Sequence, residues 1–271
     1  MTARWVFDAS GRDKLFNTGG KRPLDPSPFP KRVAVYNHFR GVARSAGRTG
    51  GDTLAVRLEN GWFWLIPIDA ERTSVGLVTT VEAMRESRLP PEELFARAVA
   101  ASVTLRGLFD GSEPVGPFRV TSDYSYFHKE LSRDRLMLVG DAAGFFDPIF
   151  SSGVYMSMLS AKLAVAMMVR ADAENRGLTS AESRRYADTV KGHAGVFQKL
   201  IAVYYNNDSF AVFMCREVPW RIRSAICSIV AGNARLTWPL WWRFRVFLLV
   251  CWMQKRWTRI CPTLDYGEVL P

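Results

Sequence analysis

The sequence predicts a mixed α/β (α+β) chain: an antiparallel strand meander, one strand–turn–helix unit and a helical C-terminal region. Three observations predict it. Alternating apolar residues and turn signals fill residues 33–81. A strand-like apolar run at residues 136–139 enters a Gly-Asp turn and then a helix of small residues. Beyond residue 176 the apolar spacing is helical, so strands come first and helices later.

Trp5-Val6-Phe7-Asp8 reads as a short strand that stops at Ala9-Ser10-Gly11-Arg12. Residues 17–32, rich in Gly, Pro and Lys, read as a loop, and 33–39 as a strand. Residues 54–59 and 62–67 read as a hairpin around Asn60-Gly61, a pair suited to the two positive φ angles of a type I′ turn. Residues 73–81 continue the meander. Pro90-Pro91-Glu92-Glu93 opens a helix predicted to reach about Val103, since proline and acids suit a helix N-terminus. Residues 118–127 and 136–139 read as strands, and a long helix is expected from Gly153 to about Asp172. Phe197, Leu200, Ile201, Tyr204 and Tyr205 mark one face of a later helix.

With 271 residues, 48% of them hydrophobic and 23% charged, the chain can bury a core and is not of the disordered class. No uninterrupted apolar run approaches the roughly 20 residues of a membrane span. The N-terminus lacks the layout of a signal peptide, which points to the cytoplasm. The cysteines, Cys215, Cys227, Cys251 and Cys261, form no C-x-x-C pair, and there are only three histidines, His38, His128 and His193. The expectation is free thiols in a reducing compartment, no zinc site, and structural or surface histidines. The formal charge of +10 is concentrated late: between Arg216 and Arg259 nine Lys or Arg face one acid, Glu217. Six of the nine tryptophans share that stretch.

The run Leu136-Met137-Leu138-Val139-Gly140-Asp141-Ala142-Ala143-Gly144 is where the residues carry chemistry. An Asp at a strand end accepts hydrogen bonds from sugar-like hydroxyls. Small residues let a ligand approach the backbone. After Asp147-Pro148 and Ser151, the amides at Ser152, Gly153 and Val154 open a helix, which favours an anion. A plain strand–turn–helix with an N-cap serine fits the same spacing.

Residues 139–144, followed by Asp147-Pro148 and Ser152-Gly153, resemble a flavin-contacting motif of FAD-dependent monooxygenases and halogenases. Asp8-Ala9-Ser10-Gly11-Arg12 is similar to a motif that ends another flavin-domain strand there. Trp62-Phe63-Trp64-Leu65-Ile66-Pro67 matches the W-x-W-x-I-P signature of flavin-dependent halogenases. The three motifs cover about residues 4–170 in the family's order.

The resemblance implies a partial FAD-binding doubly wound domain with an antiparallel substrate-side sheet. It divides the chain at 1–16 (flavin-domain strand), 17–127 (sheet with one helix), 128–175 (flavin strand–turn–helix) and 176–271 (basic helical region). In the family, reduced FAD from a separate flavin reductase meets dioxygen to give a flavin hydroperoxide. Attack by chloride or bromide yields hypohalous acid, which reaches an electron-rich aromatic. By position Gly11, Arg12, Gly140, Asp141, Ala142, Pro148, Gly153 and Val154 would contact FAD, with Asp141 on its ribityl or phosphate part. Ser152 and Gly153 would hold the halide. Trp62 and Trp64 would flank the tunnel.

The dinucleotide fingerprint and directing lysine of the family cannot be mapped, and Lys14, Lys21 and Lys31 are not assigned that role. The resemblance therefore implies an N-terminally truncated member, with weak or no FAD binding by this chain alone and halogenation only as part of a longer chain. Phe150 stands where tryptophan-specific members carry Glu, which resembles the branch acting on phenols or pyrroles, often carrier-bound. Asp123-Tyr124-Ser125-Tyr126 resembles a stretch on the active-site side of the sheet. A flavin-dependent aromatic hydroxylase, or a non-catalytic remnant at a membrane surface, remain the alternative readings. The basic tail fits a helical subdomain with core tryptophans, an interfacial membrane helix or a dock for an acidic carrier protein; nucleic acid fits least.

Overall fold

A computed structural model describes residues 2–13, 24, 25, 27–122, 125–215, 219–257, 260–262 and 264. Lys14, Lys21, Asp123, Tyr124, Arg216, Glu217 and Arg259 lie outside the described residues. In chain order the strands are β1 (Val6–Asp8), β2 (Leu24–Asp25), β3 (Arg32–Arg40), β4 (Leu54–Leu58), β5 (Gly61–Pro67), β6 (Arg72–Thr80), β7 (Glu113–Pro114), β8 (Arg119–Ser122), β9 (Tyr126–His128), β10 (Ser132–Arg133), β11 (Leu136–Leu138) and β12 (Gly144–Phe145). The helices are α1 (Val81–Ser87), α2 (Pro91–Ala101), α3 (Val103–Phe109), α4 (Gly153–Ala173), α5 (Ser180–Tyr205), α6 (Asn207–Met214), α7 (Ile222–Val230) and α8 (Trp238–Arg256). They form two compact units, Met1–Pro28 with Ser125–Pro262, and Phe29–Tyr124 with Thr263–Pro271.

The second unit is the antiparallel sheet, in the order β4-β5-β6-β3, with β7 and β8 both pairing with β3. Phe63 and Leu65 of β5, Val75 and Leu77 of β6, and Val35 and Phe39 of β3 share one face. They bury against Leu94, Phe95 and Ala98 of α2 and Leu105 of α3. The other face carries Trp62 and Trp64, with Trp64 directly opposite Gly76.

The β4–β5 hairpin forms, but its loop is Glu59-Asn60, and Leu58 pairs with Gly61. Neither Asn60 nor Gly61 has positive φ, so the turn is not type I′. Gly61 is needed inside the strand, where a Cβ would fall 2.4 Å from the Val78 carbonyl oxygen. The helix expected to reach Val103 breaks at Ser102, whose Oγ accepts the Leu105 amide at 3.3 Å and caps α3. Residues 118–127 form two strands, β8 and β9, and only β8 joins this sheet. Part of the 17–32 loop is likewise a strand, β2, paired with β9.

In the first unit β1 runs parallel to β11, Asp8 opposite Leu138, with β10 antiparallel beyond. A small antiparallel sheet, β12-β9-β2, lies in the same unit. α4 packs on the turn after β11. α5 crosses to the same strand, where the buried Tyr186 hydroxyl donates to the Leu138 carbonyl at 2.7 Å. A capping box between Thr179 and Glu182 starts α5. α4 is long and apolar enough to cross a membrane by length and composition alone.

Candidate functional site

The site is built from the β1 end, the turn after β11 and the start of α4, all within the first unit. Asp8 closes β1: its buried carboxylate accepts the Ser10 amide at 3.0 Å and the Ser10 hydroxyl at 2.6 Å. The chain then turns through Gly11 at φ +68°. The Gly11–Asp13 turn packs on the Gly140–Ala142 turn. This brings Arg12 toward Asp141 and lays its guanidinium 5.7 Å from the Phe145 ring centroid.

Gly140 sits at φ +59°, where a Cβ would come within 2.9 Å of Ser157 Oγ. Its amide donates to Ser160 Oγ at 2.9 Å, and that hydroxyl donates on to the Met156 carbonyl at 2.8 Å. Gly153, Ser157, Ser160 and Ala164 recur along one face of α4 at helical spacing. Of these, Ser157 and Ser160 lie against Gly140 and let the turn sit close.

Partial burial holds the Asp141 carboxyl above its usual range, and the Arg12 charge draws it back. The Tyr126 hydroxyl donates to the Asp141 carbonyl at 2.6 Å. Burial first, and then the Asp141 charge, push that phenol up to about 12. Tyr126 stays protonated and fixes the turn that carries this carboxylate.

The start of α4 is set by a strained loop. Asp147, buried, accepts the Ile149 amide at 3.1 Å through one oxygen and the Tyr205 hydroxyl at 2.6 Å through the other. Pro148–Phe150 makes one 3₁₀ turn, and Ser151 takes a left-handed φ of 50°. Ser152 occupies the N-cap position, yet its side chain caps nothing. Its carbonyl already accepts the Met156 amide at 3.0 Å. Among the described residues nothing accepts from the amides of Ser152, Gly153, Val154 or Tyr155, the set that a helix leaves unbonded. A Cβ on Gly153 would meet open space, and Val154 is exposed.

Asp141 and Arg12 therefore stand together, and Ser152, Gly153 and Val154 open α4 as the sequence implied. Ala142 is buried behind the turn and presents no surface to a ligand, while Pro148 belongs to the loop that aims the helix start. Open space at Gly11 and Gly153, four free amides and a carboxylate without a hydrogen bond among the described residues fit an extended ligand with hydroxyl groups and a small anion.

Trp62 and Trp64 belong to the second unit. Their ring centroids lie 6.0 Å apart, and Trp62 is buried. The Trp64 indole covers Gly76 and donates to Ser74 Oγ at 3.2 Å.

Sequence reasoning missed the Asp147–Tyr205 bond, the Ser160 link and the role of Tyr126. Tyr126 stood in the Asp-Tyr-Ser-Tyr stretch with no role assigned. The Tyr205 contact spans 58 residues and leaves no local signal.

The profile of the tryptophan halogenase family matches residues 8–211. The chain is 34% identical to the 1H-pyrrole-2-carbonyl-(peptidyl-carrier protein) chlorinase of Pseudomonas fluorescens, over 86% of this chain and 52% of that protein. It is 30% identical to a tryptophan 2-halogenase of Chondromyces crocatus, over 74% of this chain and 39% of that one. The chain thus spans about half the length, or less, of the curated relatives it matches. Among solved structures, the flavin-dependent brominase Bmp2 superposes with a TM-score of 0.81 at 23% identity, covering 94% of this chain and 64% of that one. The flavin-dependent halogenase CmlS gives 0.64 at 29% identity, covering 76% and 37%.

Proposed function

The chain belongs to the tryptophan halogenase family, and from that premise we propose that it carries the halide- and isoalloxazine-facing part of an FAD-dependent halogenase. The observation that carries this reading is the set of unaccepted amides at residues 152–155 opening onto free space, in the unit that also holds Asp141. When bound, reduced FAD supplies, with dioxygen, the two-electron oxidation that turns chloride or bromide into hypohalous acid. The Ser152 and Gly153 amides hold the halide by charge–dipole attraction. Asp141 accepts hydrogen bonds from ribityl hydroxyls, and Arg12 balances its charge. Gly11 and Gly153 keep side chains out of the ligand's path, and Gly140 lets the turn pack against Ser157. Trp62 and Trp64, by resemblance, keep the organic substrate apart from the flavin.

The substrate we propose is an electron-rich phenol or pyrrole on a carrier protein. The activity for which the Pseudomonas relative is named supports the pyrrole and the carrier, and Phe150 in place of a glutamate agrees with that branch. A separate flavin reductase is the proposed source of reduced FAD.

The test expresses the chain within its complete reading frame, supplies it with FAD, a flavin reductase, NADH, oxygen, bromide and a pyrrole carried on its carrier protein, and reads products by mass spectrometry. Brominated product that vanishes without bromide is expected. Hydroxylated product independent of halide would assign the site to a flavin-dependent hydroxylase instead.

A further inference from the structure

The C-terminal helices present an outward face that the flavin reading leaves unused. α8 turns Leu240, Phe244, Phe247, Cys251 and Gln254 inward. On its other side Trp238, Trp241, Arg245, Leu249, Trp252 and Arg256 follow at steps of three or four residues, and all are exposed. They form one stripe along a helix of 19 residues, about 28 Å long. Arg245 lies over the Trp241 ring at 5.0 Å and Arg256 over Trp252 at 5.9 Å, so cations and indoles occupy one level.

The charge on this face is unmixed. From Pro219 to Trp257 there are seven Lys or Arg and no Asp or Glu. Every ion pair among the described residues lies elsewhere. Where α7 meets α8, a cleft of about 210 Å³ is lined by Arg221, Ser224, Asn233, Thr237 and Arg243. Arg243 donates to the Trp220 carbonyl at 2.9 Å and to the Pro239 carbonyl at 2.8 Å. Trp220 and Arg221 both sit at left-handed φ, 58° and 57°, a region that non-glycine residues seldom occupy. That strained pair sets Trp220 63% exposed beside the basic cleft.

An apolar stripe this long needs a partner, and the charge selects one. A second copy would set seven cations with no acid among them against seven more, so self-association is disfavoured. An anionic bilayer offers phosphates to the cations and a headgroup zone to the indoles. We propose that the outward face of α7 and α8 is a docking surface for an anionic lipid membrane, with the tryptophans at headgroup depth and the Arg221–Arg243 cleft receiving a lipid phosphate.

The experiment is flotation of the full chain with vesicles of phosphatidylcholine alone and of phosphatidylcholine mixed with phosphatidylglycerol, with indole fluorescence read in parallel. It does not depend on the flavin chemistry. The chain is expected to float only with the anionic vesicles, with blue-shifted emission and weaker binding as salt rises. Trp238→Ala with Trp252→Ala, both at exposed positions, should weaken binding on the order of ten-fold. Arg245→Gln should weaken it about five-fold. Absence from the anionic vesicles would overturn the proposal. So would undiminished binding by the tryptophan variant, or binding to an acidic carrier protein but not to vesicles.

Discussion

At the scale of single residues, Asp141 shows what partial burial of a carboxylate costs in stability. Burial raises its folded pKa above the unfolded value. The folded chain therefore binds the proton more tightly, and stability falls as pH rises from the unfolded pKa through the folded one. Asp141→Asn removes that penalty. Thermal unfolding should show the variant melting above the parent at neutral pH, with the gap closing at a pH below both values. A variant that melts lower at neutral pH would mean that the carboxylate is held by the fold and not kept for a ligand. The carboxylate was legible in the sequence because a strand, a Gly and an Asp stand in a row. Its environment was not, because Arg12, Tyr126 and Ser160 arrive from separate segments.

At the scale of elements, the strand–turn–helix unit is joined by Ser160, which is 1% exposed and stands between the Gly140 amide and the Met156 carbonyl. Ser160→Ala leaves the half-buried Gly140 amide without its acceptor, at a cost of about 1–3 kcal/mol. Urea denaturation should show that loss with an unchanged slope; a change within about 0.5 kcal/mol would remove Ser160 from the account. The run of elements was readable where periodicity is local, as in α4, α5 and the β4–β5 hairpin. It failed where a residue answers to a neighbouring strand. Asn60-Gly61 looks like a turn pair, but Gly61 pairs with Leu58 and lies against Val78, so the loop moves back by one residue. At Ser102 a side-chain cap, invisible to apolar spacing, divides one expected helix into two.

At the scale of the whole molecule, the parallel pairing of β1 with β11 brings Asp8 opposite Leu138, 130 residues later, and no local pattern announces it. The order of three motifs, read as a resemblance, supplied what periodicity could not. The central claim is that the turn from Gly140 to Val154 faces a flavin. It is tested most directly by titrating the chain with FAD and following flavin fluorescence, for the parent, Asp141→Asn and Gly153→Val. Gly153 has negative φ and open space where a Cβ would go, so valine fills the ligand's volume without disturbing the fold. The account predicts weak, saturable binding that drops on the order of ten-fold in each variant while the melting temperature of Gly153→Val holds, since each loss removes about one hydrogen-bonded or packed contact. Equal affinity in all three proteins, or no saturable binding by the parent, would contradict it.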